Sequence, residues 1–92
     1  MGKEIVLIKN EEKMSRQEAV KMLRTIADKL EEGKITLSQG NKEVTLVVPE
    51  RVEVEIKAEK EEKRRKTTKK LEVEIEWLVD GTDQASGGLE IT

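Results

Sequence analysis

The chain of 92 residues contains no cysteine and no histidine. The absence of cysteine excludes disulfides and thiol chemistry, and a zinc site built from both residue types is excluded as well. Imidazole acid–base catalysis is also excluded. Phenylalanine and tyrosine are missing, and Trp77 is the single aromatic residue. The row of aromatic side chains on which single-stranded nucleic acids stack is therefore absent.

Motifs that place a nucleophile or cradle a phosphate are also absent. The chain has no GxSxG, SxxK, P-loop or GxGxxG pattern. Gly87-Gly88 lacks the strand–helix context of a phosphate loop. Ser15 and Ser38 are explained by a helix cap and a hairpin position. We therefore expect no enzyme activity, no cofactor, no bound metal and no small-molecule substrate.

Long apolar runs are lacking as well. No stretch approaches the roughly 18 residues that read as a membrane-spanning helix, and the apolar run near the N-terminus is too short for a signal peptide. Val6 stands where a myristoylation site needs serine or threonine. These features predict no membrane partner and a cytoplasmic location.

Charged residues are abundant and unevenly placed. They make up 41% of the chain, against about 25% in ordinary globular domains. The excess of lysine and glutamate hints at a thermophilic source. Eight basic and three acidic residues between Lys57 and Lys70 give a local charge of +5, whereas six acidic residues from Leu71 to Thr92 give −6. Polyanion binding is therefore expected only locally and not from the net charge of −2.

A helix over residues 16–31 is predicted by its cap and its periodicity. Ser15 and Glu18 have the spacing of a capping box. Apolar residues then recur on one face: Ala19, Met22, Leu23, Ile26, Ala27 and Leu30. Gly33 is predicted to end the helix because glycine enters the left-handed region without steric cost.

Two hairpins of alternating apolar and polar residues are predicted after the helix. The first turns at Gly40-Asn41. The register that keeps its apolar residues on one face pairs Ile35 with Leu46, Thr36 with Thr45, and Leu37 with Val44. The second turns near Arg64-Arg65. It pairs Val52 with Trp77, Val54 with Ile75, Ile56 with Val73, and Ala58 with Leu71.

The predicted fold class is α+β, with one helix packed on a largely antiparallel meander sheet. The apolar run Ile5–Ile8 is predicted to be its first strand, which gives the order β-α-β-β-β-β. The two hairpins are expected to pair with each other across a turn at Pro49–Arg51. Residues 1–79 form the single predicted domain, and the small polar residues of 80–92 predict a flexible tail.

Four segments together resemble the amphi-Trp domain, a family named for an amphipathic strand that ends in tryptophan. They are SRQEA at the helix start, ADKLEEGKITLSQG, VPERVEVEIKAE and KLEVEIEW. The resemblance covers about residues 1 to 78. It implies a fold unit and no particular activity, and it assigns no catalytic or binding residue.

The tip of the second hairpin is a candidate polyanion site. Its residues are Lys63, Arg64, Arg65, Lys66, Lys69 and Lys70. Lysine and arginine at phosphates give salt-sensitive affinity without sequence specificity. The alternative is a solvated tip whose charges prevent edge-to-edge association of strands.

Four glutamates form a second cluster, with Glu55 facing Glu74 and Glu53 facing Glu76. Such like-charge pairs should be mildly destabilising. Four carboxylates could hold a hard cation such as Ca²⁺. However, a flat sheet face lacks an oxygen cage, so we expect nearby basic residues or a second chain to compensate the charge instead.

The apolar face of the predicted sheet exceeds what one helix can cover. A 16-residue helix is about 24 Å long and about 10 Å wide, whereas four or five strands span roughly 20–24 Å. Either the sheet curls strongly around the helix or a partner covers the rest of this face. The preferred prediction is a homodimer formed through the last hairpin, with Trp77, Ile75, Val73 and Val52 at the interface. The expected function is a non-catalytic binding or assembly module, and nucleic-acid binding through the tip is the alternative.

Overall fold

The computed structural model describes residues 2–79. Helix α1 spans Arg16–Glu32, as predicted to within a residue. The Ser15 hydroxyl accepts from the Glu18 amide at 3.0 Å, and the Glu18 carboxylate accepts from the Ser15 amide at 3.0 Å. The capping box is therefore confirmed. Gly33 ends the helix with φ 86°, and its amide donates to the Leu30 carbonyl at 3.0 Å.

The first hairpin consists of β1, Lys34–Gln39, and β2, Lys42–Val47. Its antiparallel register is the predicted one, with Leu37 opposite Val44 and the Thr36 and Thr45 hydroxyls 2.9 Å apart. Beyond β2, the Val48 amide donates to the Gly33 carbonyl at 2.9 Å. That bond ties the end of the hairpin to the end of the helix.

The second hairpin consists of β3, Glu53–Glu62, and β4, Thr67–Glu76. Its ladder runs from Glu53 opposite Glu76 to Glu62 opposite Thr67. Within the turn, Lys63 and Lys66 exchange backbone bonds of 2.8 and 3.3 Å. The predicted turn position and register are confirmed for these two strands.

The fold class is α+β, in the order α1, β1, β2, β3, β4, with the strands in two antiparallel pairs. Two finer predictions were wrong. Ile5–Ile8 is not a strand, because an apolar run forms one only with a hydrogen-bonding neighbour and these residues have none in the described part of the chain. β2 and β3 are not a ladder pair, since the four described strands form two separate antiparallel pairs, β1 with β2 and β3 with β4.

The chain divides into two compact units, Met1–Glu50 and Arg51–Thr92. The first contains α1 packed on β1 and the β1–β2 hairpin, and the second contains the β3–β4 hairpin. Among residues 2–79 no side chain is fully buried, and no helix is long and apolar enough to cross a membrane. The predicted tail, residues 80–92, lies outside the described residues.

Candidate interface on the β3–β4 hairpin

One face of the β3–β4 hairpin is a continuous apolar row. Side chains of alternate strand residues lie on the same face, and the register therefore stacks three apolar pairs: Val54 with Ile75, Ile56 with Val73, and Ala58 with Leu71. Four of these side chains are more than half exposed: Val54 at 54%, Ile56 at 68%, Leu71 at 72% and Val73 at 54%. We call this surface the apolar face.

An open pocket of about 440 Å³ lies at the end of the hairpin away from its turn. It is lined by Arg51, Val52, Glu53, Glu76, Trp77 and Leu78. Val52 and Trp77 flank the ladder just beyond its last pair, so the predicted contact partners lie together. We call this the tryptophan pocket. It combines an aromatic ring with two carboxylates and one guanidinium group.

The opposite end of the apolar face carries two lysines. Lys60 and Lys69 are directly paired across the strands, and they follow Ala58 and Leu71 in the alternation. These four residues also line a shallow depression of about 510 Å³ together with Glu59 and Lys70. Two like charges placed opposite each other on a sheet are destabilising. We call them the lysine pair.

The other face of the hairpin is a network of exposed ion pairs. Lys57 lies 3.4 Å from Glu59 and 3.7 Å from Glu72, and Lys70 lies 3.4 Å from each of the same two carboxylates. The charge of Lys57 and the hydrogen bond of Lys70 lower the pKa of Glu59. Glu59 raises the pKa of Lys57, and bonding to Glu72 raises that of Lys70. Each of these three shifts favours the charged form of its group.

Two glutamate pairs continue this polar face toward the open end. Glu55 faces Glu74 and Glu53 faces Glu76, in the predicted register. A hydrogen bond with the Glu55 carboxylate raises the pKa of Glu74, and the charge of Glu55 raises it further. Within residues 2–79 the carboxylates form no group of three or more that could hold a metal ion. This part of the face is therefore an acidic patch.

A model of the amphi-Trp domain family matches residues 1–92, which is the whole chain. The chain belongs to this family. Its family-defining strand, amphipathic and followed by tryptophan, is the β4 strand that forms half of the apolar face. No curated protein and no solved structure matches the chain.

In this amphi-Trp domain, the six predicted polyanion-binding residues fall into three groups. Lys63, Arg64, Arg65 and Lys66 form the turn, Lys69 lies on the apolar face, and Lys70 lies on the polar face. Lys63 lies 4.0 Å from Glu61. In the described part of the chain, Arg64, Arg65 and Lys66 make no ion pair. The tip cations are therefore a smaller group than the sequence predicted.

A second concavity lies within the first unit of the amphi-Trp domain. It is a groove of about 850 Å³ between α1, β1 and the segment before the helix. Met22, Ile26, Ile35 and Leu37 supply its apolar lining, and lysines stand at its rim. The sequence predicted these residues as inner-face positions and did not predict an open groove.

Val52 and Trp77 were predicted as interface residues, but the position of the lysine pair on the apolar face was not predicted. The signal was in the sequence, because Lys60 and Lys69 share the strand parity of the apolar residues beside them. Grouping all basic residues near the turn as one patch concealed that parity. The structure instead assigns Lys69 and Lys70 to opposite faces of β4.

Proposed function

We propose that this amphi-Trp domain is a non-catalytic assembly module that forms a homodimer through the apolar face of the β3–β4 hairpin. The observation that supports it is the exposure of the apolar row, in which Val54, Ile56, Leu71 and Val73 are each more than half exposed. Contiguous apolar surfaces of this kind usually mark interaction sites. An isolated two-stranded hairpin is also marginally stable in water, so a covering surface would stabilise β3 and β4 directly.

Sedimentation equilibrium tests the proposal on the full chain. Between about 1 µM and about 1 mM, the apparent mass should rise from that of one chain, 10.5 kDa, toward twice that value. A mass that stays at one chain throughout this range would remove the homodimer and leave the apolar face without its proposed partner.

A matched pair of variants locates the contact. Leu71→Gln places an amide on the apolar face, whereas Thr68→Gln places the same group on the polar face of the same strand. We expect Leu71→Gln to weaken the dimer at least tenfold, since it removes about 1.5–3 kcal/mol of apolar burial from each copy. Thr68→Gln should leave the affinity unchanged. Equal effects of the two variants would place the contact elsewhere.

Polyanion binding at the hairpin turn is the second candidate function. It is favoured by the three turn cations Arg64, Arg65 and Lys66, which make no ion pair among the described residues. Cations of this kind bind phosphates by releasing condensed counterions, so affinity falls steeply with salt. The absence of aromatic residues near the turn favours backbone contacts over stacked bases.

Amide NMR shifts recorded during titration with DNA and RNA, each single- and double-stranded, test this candidate. Shifts confined to residues 60–70 at about 50 mM salt that vanish at about 200 mM salt would indicate phosphate-led binding. No shifts at the lower salt concentration would eliminate nucleic acid as a ligand of the turn.

A further inference from the structure

The two ends of the apolar face differ in a way that determines how two copies fit together. The lysine pair stands at the turn end, and Val52 and Trp77 of the tryptophan pocket stand at the other. Between them lie three apolar rows, and the Ile56–Val73 row is the middle one. The apolar face therefore carries lysines at one end, apolar residues in the middle and an aromatic residue at the other end.

We infer that two copies of the β3–β4 hairpin pack face to face and antiparallel, with the lysine pair of each copy in the tryptophan pocket of the other. This inference rests on the homodimer proposed above and adds its orientation and its polar contacts. The Ile56–Val73 row then lies at the two-fold axis. Each copy contributes the same patch, as a two-fold symmetric contact requires.

The lysine pair supplies the first reason for this orientation. In a parallel face-to-face dimer, Lys60 and Lys69 would meet the same two residues of the second copy, which would bring four ammonium groups together at one end. Like charges placed together across an interface strongly disfavour that arrangement. The antiparallel arrangement separates the two lysine pairs by the length of the apolar face.

The tryptophan pocket supplies the second reason. An ammonium group is attracted to the face of an indole ring, and more strongly when water is excluded. Trp77 is half-buried and lies beside Val52 at the end of the apolar row, so part of its ring stays accessible to a lysine of the second copy. Within its own chain Lys60 pairs with Glu62 at 3.3 Å, whereas Lys69 makes no ion pair among the described residues, so Lys69 is the member of the lysine pair that gains most from the indole ring.

The absence of cysteine makes the orientation directly measurable. In the antiparallel dimer Leu71 of one copy faces Ile75 of its partner, whereas in a parallel dimer it faces Ala58. Facing sheets are about 10 Å apart, which a short bismaleimide can bridge. We expect a mixture of Leu71→Cys and Ile75→Cys chains to give crosslinked dimers, and a mixture of Leu71→Cys and Ala58→Cys chains to give few.

The lysine contact is tested with two double variants that remove the same charge. Lys60→Gln with Lys69→Gln should raise the dissociation constant about tenfold, because the ammonium–indole contacts are lost. Lys63→Gln with Lys66→Gln, which changes only the turn, should alter it less than twofold. Trp77 is the single tryptophan, so its emission should follow dimer formation and lose most of its shift in the first variant alone.

The outcomes separate the two proposals. A wild-type chain that stays monomeric contradicts the homodimer itself, and the orientation with it. A dimer that crosslinks through the Leu71–Ala58 mixture contradicts the antiparallel orientation and leaves assembly standing. A lower dissociation constant in the Lys60→Gln, Lys69→Gln double variant would show that these lysines destabilise the dimer, which contradicts their proposed contact with Trp77.

Discussion

At the residue scale, Glu74 is held in an unfavourable ionised state. It lies directly across the ladder from Glu55, and hydrogen bonding and charge from that residue raise its pKa above the ordinary 4.5. Ionised Glu74 therefore destabilises the fold at pH 7. This cost disappears as pH falls from the raised value toward 4.5, so stability increases with mild acidification.

The pKa shift of Glu59 has the opposite sign to that of Glu74. Lys57 lowers the pKa of Glu59 below 4.5, so its contribution is complete above 4.5 and is lost as pH falls through its folded value. Lys57 and Lys70 have raised pKa values, and their contributions are lost only above 10.5. Between pH 7 and pH 4.5, the change expected from these shifts is that of Glu74.

The Glu74→Gln variant tests this account. It should melt at a higher temperature than the wild type at pH 7, and its gain on going to pH 5 should be smaller. Thermal unfolding followed by circular dichroism at constant protein concentration measures both. Glu31→Gln removes one carboxylate from α1, which is not part of the β3–β4 ladder, and serves as the control. Equal pH responses in the two variants would contradict the role of Glu74.

At the element scale, α1 depends on its capping box. Ser15→Ala removes the acceptor of the Glu18 amide and should lower the free energy of unfolding by about 1 kcal/mol. Urea titration measures the change, and the slope should stay constant because the exposed surface is similar. Ser38→Ala in β1 makes the same replacement outside the helix and should be close to neutral. A neutral Ser15→Ala would show that α1 is fixed by its packing alone.

The elements that sequence reasoning predicted correctly are those with local signals at both ends. α1 has a capping box before it and Gly33 after it, and each hairpin has a turn together with alternation on both strands. A shift of one residue would have moved every apolar side chain to the polar face, so the register was strongly specified.

The predictions that failed concerned pairing between segments without a local turn. Ile5–Ile8 has an apolar composition typical of a strand, but composition does not supply a hydrogen-bonding neighbour. Alternation on β2 and β3 likewise specifies which side chains share a face, but it does not specify which strand lies at each edge, and β3 pairs with β4.

At the scale of the whole molecule, assembly and polyanion binding are expected to be separable. Replacing Arg64 and Arg65 with glutamate should abolish binding to DNA or RNA and leave the dimer intact, since both residues lie in the turn. Trp77→Leu should weaken the dimer and spare polyanion binding. Sedimentation and salt-dependent titration on both variants measure the two activities. A turn variant that fails to dimerise would contradict this division.

The candidate interface was predicted in part. Val52, Val73, Ile75 and Trp77 were chosen because they continue an apolar row, and that row is present on the hairpin. The charged groups at the ends of that row were not predicted to belong to the interface, because the charges were counted along the chain and not on each face of the hairpin. The pairing of β3 with β4 shows which charged residues share a face.

Each strand pairs with a strand that neighbours it in the chain, β1 with β2 and β3 with β4, and this has a consequence for folding during synthesis. Hairpins close in about 1–10 µs, whereas synthesis adds about 5–20 residues per second. The bond between Val48 and Gly33 involves no residue of β3 or β4. The helix and first hairpin can therefore fold as soon as they leave the ribosome, before the apolar strands behind them emerge. The backbone groups with which β3 and β4 pair are then unpaired in a nascent chain only for the time that one hairpin needs to close.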